Sequence, residues 1–83
     1  MSYRVIWSRQ AETKLTRLWV ASRQRHAMTD ASNRIDELLA SRPHEVGESR
    51  AHGQLVAFIY PLGLSFFIDD QTKIVHVANV WTT

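Results

Sequence analysis

At 83 residues with no cysteine, the chain is one small domain that neither a disulfide framework nor a cysteine-bound zinc can hold together. The net charge is only +2 but uneven: all basic residues except Lys73, and all acidic residues except Asp69 and Asp70, lie in residues 1–50. No apolar run approaches the roughly 18 residues of a membrane span. The opening MSYRVIWSRQ lacks the apolar core of a secretory leader, so a cytoplasmic protein without membrane attachment is expected.

Tyr3-Arg4-Val5-Ile6-Trp7 is strongly β-prone and predicts a first strand. Ser8 is suited to cap a helix, since its hydroxyl can accept from a free N–H of the next turn. Ala11, Leu15, Leu18, Trp19 and Ser22 then recur as one helical stripe. Arg9, Gln10, Thr13, Lys14, Arg17 and Arg23 fall off it and read as a solvated face, and Trp7 and Trp19 read as core. After a polar interruption at Arg23–His26, Met28, Ala31, Ile35, Leu38 and Leu39 mark a second helix, with Asp30 and Arg34 spaced to pair on its exposed side. Pro43 ends it. The short connection predicts an antiparallel helical hairpin.

Residues 42–53 read as the one long irregular stretch. Three apolar runs follow, at Leu55–Tyr60, Leu64–Ile68 and Ile74–Trp81, rich in the residue types that suit a pleated sheet. Tyr60-Pro61-Leu62-Gly63 predicts a turn with proline second and glycine last. Asp69–Thr72 is a polar break of hairpin length. The expected architecture is α+β, in the order β-α-α-β-β-β, with the helical pair covering one face of a mostly antiparallel sheet. The first strand cannot reach the meander by a hairpin, so it crosses over the helices and pairs in parallel, most simply with the last strand.

This ordered set resembles the RelE/ParE superfamily of toxins from type II toxin–antitoxin and plasmid-stabilisation systems. The resemblance rests on Tyr3, Val5, Trp7 and Ser8, then Ala11, Leu15 and Trp19. It continues through Ile35-Asp36, Leu39 and Pro43 to Gly47-Glu48-Ser49-Arg50. It closes with Pro61-Leu62, Leu64, Phe66, Ile68-Asp69 and Val75-x-Val77. It implies a small toxin neutralised by a cognate antitoxin and acting on DNA gyrase, as ParE-like members do, or on ribosome-bound messenger RNA, as RelE-like members do. A homodimer is compatible with it, and no cofactor is implied.

Metal-free RNA cleavage needs a base for the 2′-hydroxyl, cations for the phosphorane and an acid for the leaving oxygen. RelE-like members place an arginine ahead of Leu64, where this chain has Gly63, and basic residues on the middle strands, where Leu55–Tyr60 has none. Only Thr82 and Thr83 follow Trp81, so the basic or aromatic C-terminal pair of such members is expected to be missing. The remaining catalytic candidates are Arg50, His52 and His76. Arg50, Asn79 and Trp81 are candidates for contact with a partner or nucleic acid. Arg50 is equally suited to a local ion pair with Glu48 or Glu45. His76 should lie on the sheet face away from Val75 and Val77. Two histidines without a third ligand make no metal site. The sheet face away from the helices therefore reads first as a docking surface and second as an active site, with a non-toxic relic or regulatory binding protein as the third reading.

Overall fold

The computed structural model describes residues 2–83. Its elements run β1 (Arg4–Trp7), α1 (Arg9–Ala21), α2 (Arg25–Ser41), α3 (Pro43–Val46), β2 (Glu48–Ser49), a 3-10 turn (Ala51–Gly53), β3 (Leu55–Ile59), β4 (Leu62–Asp69) and β5 (Ile74–Thr82). One five-stranded sheet has the order β1-β5-β4-β3-β2. The crossover pairing holds: β1 runs parallel to β5, with Arg4 opposite Ile74 and Trp7 opposite Val77. The remaining pairs are antiparallel.

The core lies between the helices and one sheet face. Ala11, Met28, Ala31, Ile35 and Leu39 from the helices meet Ala57, Leu62, Leu64, Phe66, Val75, Val77 and Val80 from the sheet, all buried. The predicted periodicities put these residues there: every third or fourth position on the helices, every second on the strands. Ser8 caps α1 as expected, its Oγ accepting from the Ala11 N–H at 3.0 Å.

Several local expectations are corrected. The helical interruption is only Ser22–Gln24, because α2 begins at Arg25. Trp19 is not core but 39% exposed. It lies on the flank of the stripe, where its indole N–H finds Thr29 Oγ1 at 3.0 Å and the Arg25 guanidinium sits 5.0 Å from the ring. An amphipathic ring is held well at such a rim, with its polar edge satisfied. Ser22 caps α1 instead of extending its apolar face. Residues 42–53 are not one irregular loop, since they hold α3, β2 and the 3-10 turn. Pro43 stops α2 and also opens α3 at its first turn, where the missing N–H costs nothing.

The first meander hairpin is tighter than predicted. Ile59 pairs with Leu62, leaving Tyr60 and Pro61 as the turn, with a cis bond between them. Proline is therefore third of four residues, not second, and Gly63 lies inside β4. The second hairpin turns at residues 70–73, one residue later than expected, with Lys73 at φ 58°. Among the described residues ion pairs form only at His44–Asp70 and Arg50–Glu48, so Asp30 and Arg34 stay apart.

Candidate functional site

Among the described residues no element covers the sheet face opposite the helices, and register decides what that face presents. Phe58 on β3, Gly63 on β4 and Trp81 on β5 form one cross-strand row. The Trp81 indole lies over Gly63: a Cβ there would meet Nε1 at 2.3 Å and Cε2 at 2.5 Å. Phe58 meets the same indole edge-to-face, with centroids 6.2 Å apart, an arrangement the ring quadrupoles favour. Glycine is thus required here by close approach rather than by a turn. Where RelE-like members would set an arginine, this chain sets an indole.

The alternation along β5 is broken once. Ser65 pairs with Asn79 and Phe66 with Val77, leaving Ala78 unpaired as a bulge. Without it, strict alternation would turn Trp81 toward the helices and Val80 away from them. With it, Val80 joins Val75 and Val77 in the core. His76 faces away from that core as predicted, in a cross-strand row with Ile6 and Phe67. Exposed Phe58, Tyr60, Phe67 and Ile6 make this face largely apolar. No lysine or arginine occurs in β3, β4 or β5.

The three candidate catalytic residues are not brought together. His76 lies on β5, while Arg50 follows β2 at the far edge, with β4 and β3 between them. Three strand spacings amount to roughly 14 Å. Arg50 pairs with Glu48 at 3.4 Å and also donates to the Ser49 carbonyl at 3.2 Å. His52 sits in the exposed 3-10 turn with φ 62° and ψ 32°, followed by Gly53 at φ 77°. Asn79 turns toward α1: its Oδ1 lies 3.4 Å from Lys14 Nζ and 2.9 Å from the Val80 N–H.

A second polar group, unforeseen in the sequence, lies at the sheet end where β1 begins. The Tyr3 hydroxyl donates to Asp70 Oδ1 at 2.6 Å, and His44 Nε2 lies 2.9 Å from the same oxygen. Tyr3 and His44 stack edge-to-face at 6.1 Å, and Lys73 Nζ sits 5.0 Å above the Tyr3 ring. These contacts tie β1, α3 and the β4–β5 hairpin together. Only folding joins them, since His44 and Asp70 are 26 residues apart and Tyr3 and Asp70 are 67 apart.

Hydrogen bonds from His44 and then Tyr3 hold the Asp70 carboxyl below its ordinary 3.8, and backbone N–H groups led by Thr72 do the same for Asp69. The bond to Asp70 pushes the Tyr3 hydroxyl above its ordinary 10.0. A lowered carboxyl stabilises the fold above its unfolded value and loses that contribution as pH falls through the folded one. A raised tyrosine contributes below 10 and loses it as pH rises further. Urea midpoints measured from pH 2 to 11 are therefore expected to decline below about pH 4 and again above about pH 10. Asp70→Asn should flatten the alkaline flank and reduce the acid flank to the part that Asp69 contributes, and an unchanged profile in that variant would count against the cluster.

No protein-family profile and no curated protein matches the chain. Solved structures do match it, each over nearly its full length. A chain of the RelBE2 toxin–antitoxin complex from Mycobacterium tuberculosis has a TM-score of 0.81 and 21% identity, covering 100% of both chains. A chain of the chromosomal ParDE system of P. aeruginosa has a TM-score of 0.75 and 15% identity, over 98% of this chain and 96% of that one. A chain of the intact E. coli RelBE toxin–antitoxin complex has a TM-score of 0.69 and 15% identity, over the same shares. The α+β fold expected from the sequence is therefore the fold of chains from RelBE and ParDE systems. At these identities the likeness defines the architecture, and function must be argued from the chain's own residues.

Proposed function

We propose that this chain is the toxin of a type II toxin–antitoxin module, masked by a cognate antitoxin, and that it stops growth by docking its open sheet face on a macromolecular target. The whole-chain likeness to components of three such systems supports the module. The row Phe58–Gly63–Trp81 supports docking over cleavage. It fills the end of the face beside the Tyr60–Pro61 turn with aromatic surface, and β3, β4 and β5 carry no lysine or arginine to stabilise a phosphorane. Large exposed apolar patches mark interaction sites, and aromatic anchors carry much of the energy at such interfaces. Gyrase is one candidate target and the translation machinery the other. Among the described residues no helix is long and apolar enough to cross a membrane.

The test is induced expression of the chain alone and together with a neighbouring reading frame encoding an acidic, helical product. Expected is growth arrest with intact messenger RNA, relieved by co-expression. Loss of plasmid supercoiling would select gyrase as the target. His52→Gly removes the imidazole while suiting the left-handed backbone at that position, and it should leave the arrest intact. Trp81→Ala, soluble and folded by circular dichroism, should abolish it. Codon-position cuts in ribosome-bound messages, lost in Arg50→Ala or His52→Gly, would replace docking with cleavage. No arrest at confirmed soluble expression would sink the toxin itself. The complex should also outlast the free chain thermally, since a partner at 1,000 times its Kd adds about 4 kcal/mol.

A further inference from the structure

A cluster of basic side chains lies away from the open sheet face. β1 pairs with β5 only as far as Val77, so the later part of β5 emerges past the end of β1 beside α1. There Arg9, Gln10, Thr13, Lys14 and Arg17 of α1 and Asn79 of β5 line an open cleft of about 410 Å³. The five helical residues cover one flank of α1, next to the stripe of Ala11, Leu15 and Leu18 that faces the core. Glu12, the only acid in α1, points about 140° round the helix from the centre of that flank.

Three cations therefore share one cleft with no carboxylate in its lining. None of the three forms an ion pair, because the pairs among the described residues are His44–Asp70 and Arg50–Glu48. Among the described residues, the one side-chain hydrogen bond joining cleft residues runs from Lys14 to Asn79 at 3.4 Å. Like charges gathered without a counter-charge repel one another, and a bound anion removes that cost.

We infer that this cleft holds the phosphodiester backbone of a nucleic-acid duplex. Three features select that occupant. Arg9 and Arg17 are eight residues apart, about 12 Å along the helix axis, a span suited to successive phosphates of a repeating polyanion. Every lining side chain carries a hydrogen-bond donor and none is apolar. That suits phosphate oxygens and offers no anchor pocket to an acidic peptide. None is aromatic either, so no base can stack there as single-strand binders require. Contacts of this kind position a duplex without reading its sequence. The inference stands apart from the toxin reading, since it uses a different surface and a binding readout.

The test is fluorescence anisotropy of the purified chain with labelled 20-base-pair DNA and RNA duplexes of random sequence, titrated with NaCl. Three phosphate contacts predict a slope of log K against log salt of about −2.7. That is roughly 40-fold weaker binding at 200 mM than at 50 mM. Arg9→Gln, Lys14→Gln and Arg17→Gln should each reduce the slope to about −1.8. Arg34→Gln and Arg42→Gln, which remove the same charge outside the cleft, should leave it unchanged. Equal losses in the control variants would overturn the inference in favour of diffuse attraction. So would tighter binding of a single-stranded oligouridylate, tighter binding of polyglutamate, or no binding to either duplex at 20 mM salt.

Discussion

Phe66→Ala is expected to remove about 3–5 kcal/mol of the folding free energy. Phe66 is fully buried, paired with Leu55 on β3 and Val77 on β5, so truncating it empties the middle of the sheet's inner face. Its ring also reaches the backbone ahead of β2: a Cβ on Gly47 would stand 2.7 Å from Phe66 Cζ. The cavity therefore loosens the connection between α3 and β2 as well as the core. Phenylalanine-to-alanine changes in cores cost about 3–5 kcal/mol. A domain of this length holds only about 4–12 kcal/mol in total. Urea denaturation followed by circular dichroism at 25 °C should show a loss of that size, about a quarter or more of the total. Phe66→Leu should lose far less, about 1–1.5 kcal/mol, because leucine keeps much of the volume. An alanine variant within 1 kcal/mol of the parent would mean that the site collapses around the missing ring.

The second large effect is a reversal of sign at Gly63. Gly63→Ala places a methyl group within 2.3–3.0 Å of three atoms of the Trp81 indole. The indole must swing away and give up its edge-to-face contact with Phe58. Overpacking costs about 1–3 kcal/mol, and losing the aromatic pair adds about 0.5–1.5 kcal/mol. In a Trp81→Ala background the obstacle is gone. The same Gly63→Ala change should then be neutral or stabilising by up to about 1 kcal/mol, because glycine is a poor strand residue. A double-mutant cycle measures this directly, and tryptophan emission should shift red in Gly63→Ala as the indole meets water. Additive single effects would mean that Trp81 does not rest on Gly63 in solution. On the docking reading, Gly63→Ala should also reduce growth arrest in proportion to the disturbed face.

Much of this fold was legible because its rules are local. Ser8 before a helical stripe announces a capped helix, and Pro43 announces a stop. Ile35 and Leu39 sit on the stripe and prove fully buried. The parallel β1–β5 pair followed from chain order alone, since a strand ahead of two helices must return by a crossover. The Ile35-Asp36 pair in the motif also gains a reason: Asp36 Oδ1 accepts the Trp7 indole N–H at 2.8 Å, pinning α2 to β1.

The candidate site was less legible because it depends on register. Alternation put His76 on the open face but could not foresee the bulge at Ala78, which resets every residue after it. The side chain of Trp81 thereby reaches Gly63, and that contact makes the end of the face beside the Tyr60–Pro61 turn aromatic. Arg50 was foreseen in either of two states, and it makes the pair with Glu48. Periodicity separated Arg9, Lys14 and Arg17 from the core stripe, yet nothing local said that this flank would border the unpaired part of β5. The cluster of Tyr3, His44 and Asp70 left no trace in spacing at all.

By itself, then, the sequence determined which residues are apolar, how often they recur, where helices must start and stop, and hence the α+β order of elements. Those properties arise from backbone sterics and from the burial of one face per element, and each is decided within a dozen residues. The tertiary structure alone decided which polar and aromatic side chains meet. A one-residue bulge, a two-residue turn and the early end of β1 are small local events, but each shifts register or uncovers an edge. Register sets every cross-strand neighbour, and so decides what the open face and the basic cleft present.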